Sequence, residues 1–294
     1  MSRSAQLRRM LSDGECLLAP GAYDGLTARL IELAGFKTVY ATGAGISNSQ
    51  FALADVGLVT MNEILEQCRR MIASTELPVI CDIDNGYGNA VNLHRTVGEF
   101  VRAGAAAVQV EDQVFPKKCG HFSGKQILPF DESVAKIGAA VDARGSSDML
   151  IVARTDAIAV AGFDEAIRRA NAFSQAGADV IFVEAPRNID EIREISRNVS
   201  APKVANIVEG GRTPLVPLAD LKSMGFQIVL YANLVLRSSV KAVQASLAHL
   251  AEHGDSTGIL DSIITMDERA HVTRKDYLDD LERRFAVRSG AVGE

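Results

Sequence analysis

Tryptophan is absent and aromatic residues make up only 5% of the 294-residue chain, so its core is built from Ala, Val, Ile and Leu. Four cysteines (Cys16, Cys68, Cys81, Cys119) are too few and too scattered for a disulfide framework, and none forms a CxxC pair. A reducing, cytoplasmic compartment is expected. Histidine is equally sparse, with five residues and no paired metal-ligand spacing, which argues against a zinc centre. No stretch reaches the roughly 18 uninterrupted apolar residues of a membrane span, and the segment from Met1 to Asp13 carries Arg3, Arg8 and Arg9 without the apolar stretch of a secretory signal. Positive charge is also in deficit: Lys plus Arg is 31 against 37 Asp plus Glu, a formal net charge of −6. That balance speaks against a nucleic-acid binder, yet leaves room for a small anion held by a few buried arginines. Hydrophobic residues at 47% and charged residues at 23% are ordinary for a folded domain.

Short apolar runs recur, each followed by a polar or glycine-containing break and then a helical pattern. They are Cys16–Pro20, Thr38–Thr42, Val79–Asp84, Ala107–Asp112, Leu150–Asp156, Val180–Glu184, Lys203–Val208 and Gln227–Tyr231. Continuous apolar runs of this length suit strands buried on both faces, as parallel strands are. Between them lie segments of helical spacing, such as Leu93–Ala103 and Asp164–Ala176. Ala34-Gly35-Phe36, Ala103-Gly104-Ala105, Ala176-Gly177-Ala178 and Met224-Gly225-Phe226 each precede a run and read as one repeated helix-to-strand turn. Eight such units predict a closed α/β barrel of the (β/α)8 TIM type over residues 1–250. An open doubly wound sheet is the competing arrangement, disfavoured by the count of eight and by the lack of GxGxxG after the first strand. Residues 251–294 are more charged, read as two or three helices, and are too short for a core of their own. They are expected to pack on the barrel or on a neighbouring subunit.

Chemistry in such barrels sits at the C-terminal ends of strands, and these ends are polar. The third run closes in Asp82-Ile83-Asp84-Asn85-Gly86-Tyr87-Gly88, the fourth in Glu111-Asp112-Gln113 and the fifth in Arg154-Thr155-Asp156. Glu184, Asn206 with Glu209, and Tyr231 end the next three. Asp82 and Asp84, two apart on a strand, are expected on one face, and Glu111 from the adjacent strand joins them. Three carboxylates in one small volume need a cation, and an all-oxygen donor set suits Mg2+ or Mn2+. Cys119 follows Lys117 and Lys118 and precedes Gly120 and His121, cationic surroundings that favour the thiolate; the segment reads as a loop able to cover the barrel mouth. Arg154 and Arg237 are candidate carboxylate clamps, and the glycine-rich Thr42-Gly43-Ala44-Gly45 offers backbone N–H groups to an anion.

These motifs, with Asp55, Ala153-Arg154-Thr155-Asp156 and Asn206-Ile207-Val208-Glu209-Gly210-Gly211, resemble those of the isocitrate lyase/phosphoenolpyruvate mutase superfamily over about residues 15–250. The Lys-Lys-Cys-Gly-His element is similar to that of its lyase branch, and phosphonomutases of the family carry a similar loop. The resemblance implies a homotetramer, a dimer of dimers, with C-terminal helices exchanged between subunits. It implies Mg2+ on Asp82 and Asp84, with Asp55 and Glu111 acting through metal-bound water. It implies substrate contacts from Tyr40, Thr42, Gly43, Ala44, Gly120, Arg154, Glu184, Asn206 and Arg237, and catalytic roles for Cys119, Lys117, His121 and Arg154, with Cys119 the acid. The implied reaction is retro-aldol cleavage of a 2-hydroxydicarboxylate, of 2,3-dimethylmalate or methylisocitrate type, to a 2-oxo acid such as pyruvate and a second carboxylate. Methylisocitrate lyases of the family carry Arg-Pro-Asn where this chain has Phe122-Ser123-Gly124, and Ser-Gly-Gly-Gly where it has Thr42-Gly43-Ala44-Gly45. Both departures favour a smaller substrate. Phosphonate P–C chemistry and oxaloacetate decarboxylation or hydrolysis are the alternatives on the same scaffold; a catalytically idle binding barrel is the alternative outside it.

Overall fold

Eight short strands, each too apolar to face water, close on one another as a parallel barrel in the computed structural model, which describes residues 1–118, 124–211 and 213–286. They are β1 (Leu17–Ala22), β2 (Val39–Ala41), β3 (Val79–Asp82), β4 (Ala107–Glu111), β5 (Leu150–Thr155), β6 (Val180–Val183), β7 (Lys203–Asn206) and β8 (Ile228–Tyr231). Each pairs with its sequence neighbour, and β8 pairs back onto β1 with Leu17 opposite Ile228 and Pro20 opposite Tyr231. Every predicted strand is present. The predicted ends overshoot where the chain turns away to present polar side chains.

The helices are α1 (Arg3–Ser12), α2 (Gly25–Leu33), α3 (Gly43–Phe51), α4 (Met61–Ser74), α5 (Ala90–Ala103), α6 (Phe130–Arg144), α7 (Ile158–Ala161), α8 (Phe163–Gln175), α9 (Ile189–Asn198), α10 (Leu218–Ser223), α11 (Leu234–His253), α12 (Met266–Val272) and α13 (Lys275–Phe285). Local chemistry sets their starts: Asp24 with Thr27, Thr60 with Glu63, and Asn89 with Asn92 form reciprocal capping boxes on α2, α4 and α5. The four predicted turns all hold glycine in the left-handed region, with φ of 83° at Gly35 and Gly104, 101° at Gly177 and 78° at Gly225.

Two apolar clusters follow from this arrangement. One lies between the strands and the surrounding helices, with Phe100, Phe173 and Ile64 fully buried. The other fills the barrel, where Ile80, Leu150, Val180 and Ile228 meet Leu7, Met10 and Leu11 of α1. Helix α1 therefore stoppers the barrel interior. Tyr40, Phe182 and Leu230 belong to this interior cluster and also line the mouth, so the apolar core is the floor of the site.

The chain divides into two units, Met1–Ser239 and Val240–Glu294, with the boundary inside α11 rather than after it. The second unit contains the rest of α11, a 3-10 turn at Thr257–Ser262, α12 and α13. None of its described residues is buried, and Leu247, Leu260, Ile264 and Met266 are well exposed. Among the described residues no helix is long and apolar enough to cross a membrane.

Candidate active site

Strand register assembles the site. Glu111 of β4 lies opposite Arg154 of β5, and Arg154 opposite Phe182 of β6. Registered partners on parallel strands share a face, so a carboxylate, a guanidinium and an aromatic ring stand side by side. Arg154 Nε is 3.4 Å from Glu111 Oε2, Nη1 is 3.8 Å from Glu184 Oε2, and the guanidinium lies 5.2 Å from the centre of the Phe182 ring. Asp156 grips the same guanidinium with both oxygens, at 2.9 Å to Nε and 3.0 Å to Nη2. Burial favours the neutral form of Arg154, but Asp156, Glu184 and Glu111 outweigh it and hold the pKa above the usual arginine value.

A second carboxylate group borders the same cavity at the barrel mouth. Asp82 Oδ2 accepts from Gly43 N at 3.4 Å, and its Oδ1 accepts from Asp84 N at 3.2 Å and Gln109 Nε2 at 3.4 Å. The expectation that strand alternation aligns Asp82 with Asp84 needs correction. β3 ends at Asp82, and Asp84 has a left-handed φ of 50°. The turn, not the pleat, brings the second carboxylate back beside the first. A Cβ placed on Gly43 would stand 3.2 Å from Asp82 Oδ2 and 3.5 Å from Asp84 Oδ1, so both carboxylates crowd the spot that glycine leaves open.

Lys117, almost wholly buried, pairs with Asp55 and, at 2.9 Å, with Asp84 Oδ1. Burial pushes the Asp84 carboxyl up to about 6, with Lys117 pulling down and Asp82 and Asp55 pushing further up. Burial also drives Glu111 well above the ordinary glutamate value against the pull of Arg154, and its Oε1 has no hydrogen-bond partner. Tyr40 is pushed up by burial and then by Asp82.

Of the three carboxylates expected together, Asp82 and Asp84 meet beside Gly43, and Asp82 and Glu111 border one cavity. Among the described residues no three His, Cys, Asp or Glu side chains stand together as a metal-holding group. The carboxylates are paired with cations of the chain instead: Lys117 with Asp55 and Asp84, and Arg154 with Glu111. The donor set still fits Mg2+, which is commonly held by one or two carboxylates and completed by water. Asp82 and Asp84 converge, and Glu111 keeps a buried oxygen without a partner.

A small cavity of about 40 Å3, open to solvent, is bordered by Asp55, Asp82, Glu111, Lys117, Arg154 and Glu184. Tyr40, Thr42, Ala44 and Asn206 line it too. Thr42 caps α3, its hydroxyl accepting from Gly45 N at 3.3 Å. The Gly43 N–H points at Asp82 rather than at the opening. Asn206 Nδ2 is 3.5 Å from Glu184 Oε2, and its Oδ1 is buried without a partner. Arg237 is not among the lining residues: it is half exposed and donates to the Glu209 carbonyl at 2.6 Å. Cys119, Gly120 and His121 lie outside the described residues. The flanking chain is well tied, with Lys118 N donating to Gln113 Oε1 at 3.0 Å and Gln113 Nε2 donating to the Lys118 carbonyl at 2.8 Å.

Sequence reasoning missed several neighbours. Phe182, Leu230, Ala232 and Asn233 line the cavity, and apolar strand interiors carry no mark that separates floor from core. Asp156 was visible only as a polar strand end. Lys125, whose Nζ lies 2.6 Å from Asp156 Oδ1, gave no signal, because a lone lysine after a loop reads as solvated.

Fold and site define a barrel enzyme whose mouth holds both a carboxylate group and a buried guanidinium. The phosphoenolpyruvate phosphomutase family profile matches residues 7–251. A 2,3-dimethylmalate lyase of Eubacterium barkeri is 41% identical over 287 residues, covering 98% of this chain and 99% of the relative. A 2-methylisocitrate lyase of Aeropyrum pernix is 43% identical over 262 residues, covering 89% and 84%. The crystal structure of 2,3-dimethylmalate lyase superposes with a TM-score of 0.92 at 34% identity, covering 100% of this chain and 99% of that one. A phosphonopyruvate hydrolase in complex with oxalate and Mg2+ superposes with a TM-score of 0.88 at 31% identity, covering 97% and 99%. The chain belongs to the phosphoenolpyruvate phosphomutase family, within the isocitrate lyase/phosphoenolpyruvate mutase superfamily. Its enzyme class is carbon–carbon lyase.

Proposed function

We propose that the protein is a Mg2+-dependent lyase that cleaves a 2-hydroxy acid, the dicarboxylate 2,3-dimethylmalate type ahead of the larger tricarboxylate methylisocitrate type, into a 2-oxo acid and a second carboxylate. The observation that carries this reading is the presence, in the lining of one cavity, of both Asp82 with its neighbours and Arg154 with its counter-ions. The first group suits a divalent cation and the second a carboxylate. Mg2+ bound by Asp82 and Asp84 would supply a Lewis acid that lowers the pKa of a ligated hydroxyl and stabilises developing negative charge. The chain's own groups do the rest. Arg154 receives a substrate carboxylate in bidentate fashion, and Glu184 and Asn206 order the polar wall beside it. Cys119 delivers a proton to the carbon released by cleavage, a step that contributes about 10² to 10⁴ in rate when the acid is well placed. The Phe182, Leu230 and Ala232 surface leaves apolar room for alkyl substituents.

The exposed apolar side chains of residues 240–286 support a homotetramer in which a second copy covers them. The free thiols Cys16, Cys68 and Cys81 fit a reducing, cytoplasmic setting. The test is product analysis with Mg2+ on 2,3-dimethylmalate, methylisocitrate, oxaloacetate and phosphonopyruvate. Pyruvate formed in equal amount with a carboxylate from an alkylated substrate supports the reading. Turnover of oxaloacetate or phosphonopyruvate alone overturns it.

A further inference from the structure

Arg154 is outnumbered. Asp156 holds it at 2.9 and 3.0 Å, Glu111 stands at 3.4 Å and Glu184 at 3.8 Å, so three carboxylates face one guanidinium. A guanidinium whose charge is fully spent on its own neighbours is a poor receptor for a further carboxylate. Of the three, Asp156 holds it at the shortest distances, so the charge Asp156 brings matters most.

Lys125 is placed to take up part of that charge. Its Nζ lies 2.6 Å from Asp156 Oδ1, the same oxygen that accepts from Arg154 Nη2. Both side chains are sealed from water, at 1% exposure for Lys125 and 0% for Asp156. A charge pair this dry is costly to build unless geometry or chemistry repays it. Lys125 is not among the described residues that line the cavity, and its ion pair with Asp156 links it to Arg154.

The backbone on either side fixes its position. Val114 N donates to the Gln126 carbonyl at 2.9 Å, Leu128 N donates to the Asp112 carbonyl at 2.8 Å, and Gln113 pairs antiparallel with Ile127. The segment bearing Lys125 is thereby stitched to the end of β4. Asp156 is held from behind as well, its backbone N–H donating to Asp112 Oδ1 at 2.9 Å. Asp112 in turn accepts from Thr155 Oγ1 at 2.7 Å and pairs with Arg169 at 3.1 Å. With both partners immobile, Asp156 divides its charge between two cations.

We infer that Lys125 is a positioning residue that draws Asp156 partly away from Arg154, leaving the guanidinium oriented and electrically available for a substrate carboxylate. This rests on the proposed reading of Arg154 as the carboxylate receptor. The test uses the full-length enzyme and oxalate as a small dianionic probe, titrated calorimetrically in saturating Mg2+, alongside a Mg2+ titration and steady-state kinetics on the alkylated malate. In Lys125→Met the Mg2+ affinity stays within about twofold of wild type. The oxalate Kd rises at least tenfold, about 1.4 kcal/mol. KM rises by a similar factor, more than kcat falls, and Lys125→Arg recovers most of the oxalate affinity. A role confined to stability would lower the melting temperature and leave Kd and KM unchanged. That result, or an oxalate Kd within twofold of wild type in folded Lys125→Met, overturns the inference. If the methionine variant does not fold, Lys125→Gln, which keeps a donor for Asp156 without the charge, is judged by the same criteria. Wild-type enzyme that fails to bind oxalate at all overturns the reading of Arg154 itself, and the inference with it.

Discussion

Replacing Lys117 by methionine separates two descriptions of the carboxylate group, one in which the ammonium is incidental and one in which it stands in for a cation. Lys117 Nζ is 2.9 Å from Asp84 and also pairs with Asp55, with only 4% of the side chain exposed. Removing one partner of such a pair costs about 3–5 kcal/mol when the remaining charge has no escape. Here it has one. Burial already holds Asp84 at about 6 with the lysine present, so without it the carboxyl takes up a proton near neutral pH and limits the loss. We expect about 2–3 kcal/mol in the metal-free protein. For a unit of this size that corresponds to about 5–10 °C in melting temperature. Added Mg2+ supplies the missing positive charge and contributes about 2.7 kcal/mol at a concentration of 100 Kd. In wild type the ammonium already compensates these carboxylates, so the Mg2+-induced rise is larger in Lys117→Met. Thermal melts in EDTA and in MgCl2, for both proteins, measure this. A variant as stable as wild type in EDTA, or one that gains no more than wild type from Mg2+, refutes the reasoning.

Other consequences concern the anion side and the second unit. Burial alone would raise the Asp156 pKa, but Arg154 and then Lys125 hold it at about 2. A depressed carboxylate stabilises the fold above its unfolded value, near 3.8, and loses that contribution as pH falls towards 2. Wild type should therefore lose about 2 kcal/mol more than Asp156→Asn between pH 4 and 2; equal slopes in urea unfolding across that window contradict the assignment. Light scattering should give four times the 31.5 kDa chain mass, and Leu250→Asp, a change on an exposed apolar face, should reduce it without altering the circular dichroism of the barrel. A monomeric wild type would remove the tetramer from the account.

Much of the fold was legible because parallel strands have no wet face. The run Val79–Asp84, of which Val79–Asp82 is strand, could be read as buried without knowing its partners, and Ala-Gly pairs at 34–35, 103–104 and 176–177 marked where helices hand over to strands. The site was legible for a related reason: Glu111 and Arg154 are charges at the ends of apolar runs. What escaped was three-dimensional. Asp84 reaches the site through a left-handed residue that strand periodicity does not foresee. Lys125 meets Asp156, just past the end of β5, from a separate loop, so their pairing has no sequence spacing to announce it. The segment Met1 to Asp13 was read only as lacking the apolar stretch of a secretory signal, yet Leu7, Met10 and Leu11 of α1 stopper the barrel interior, because three apolar residues on one helix face suffice for that. Arg237, read as a clamp from its place after β8, spends its guanidinium on Glu209.

The most direct test of the central claim is turnover of Cys119→Ser on the alkylated malate in D2O, followed by NMR. In wild type the released carboxylate gains a single deuteron and the 2-oxo acid appears in equal amount. With serine at 119, Mg2+ binding is unchanged and turnover falls at least about a hundredfold, the contribution of a well-placed acid. A serine variant that turns over within about tenfold of wild type, with the deuteron still delivered, contradicts the account.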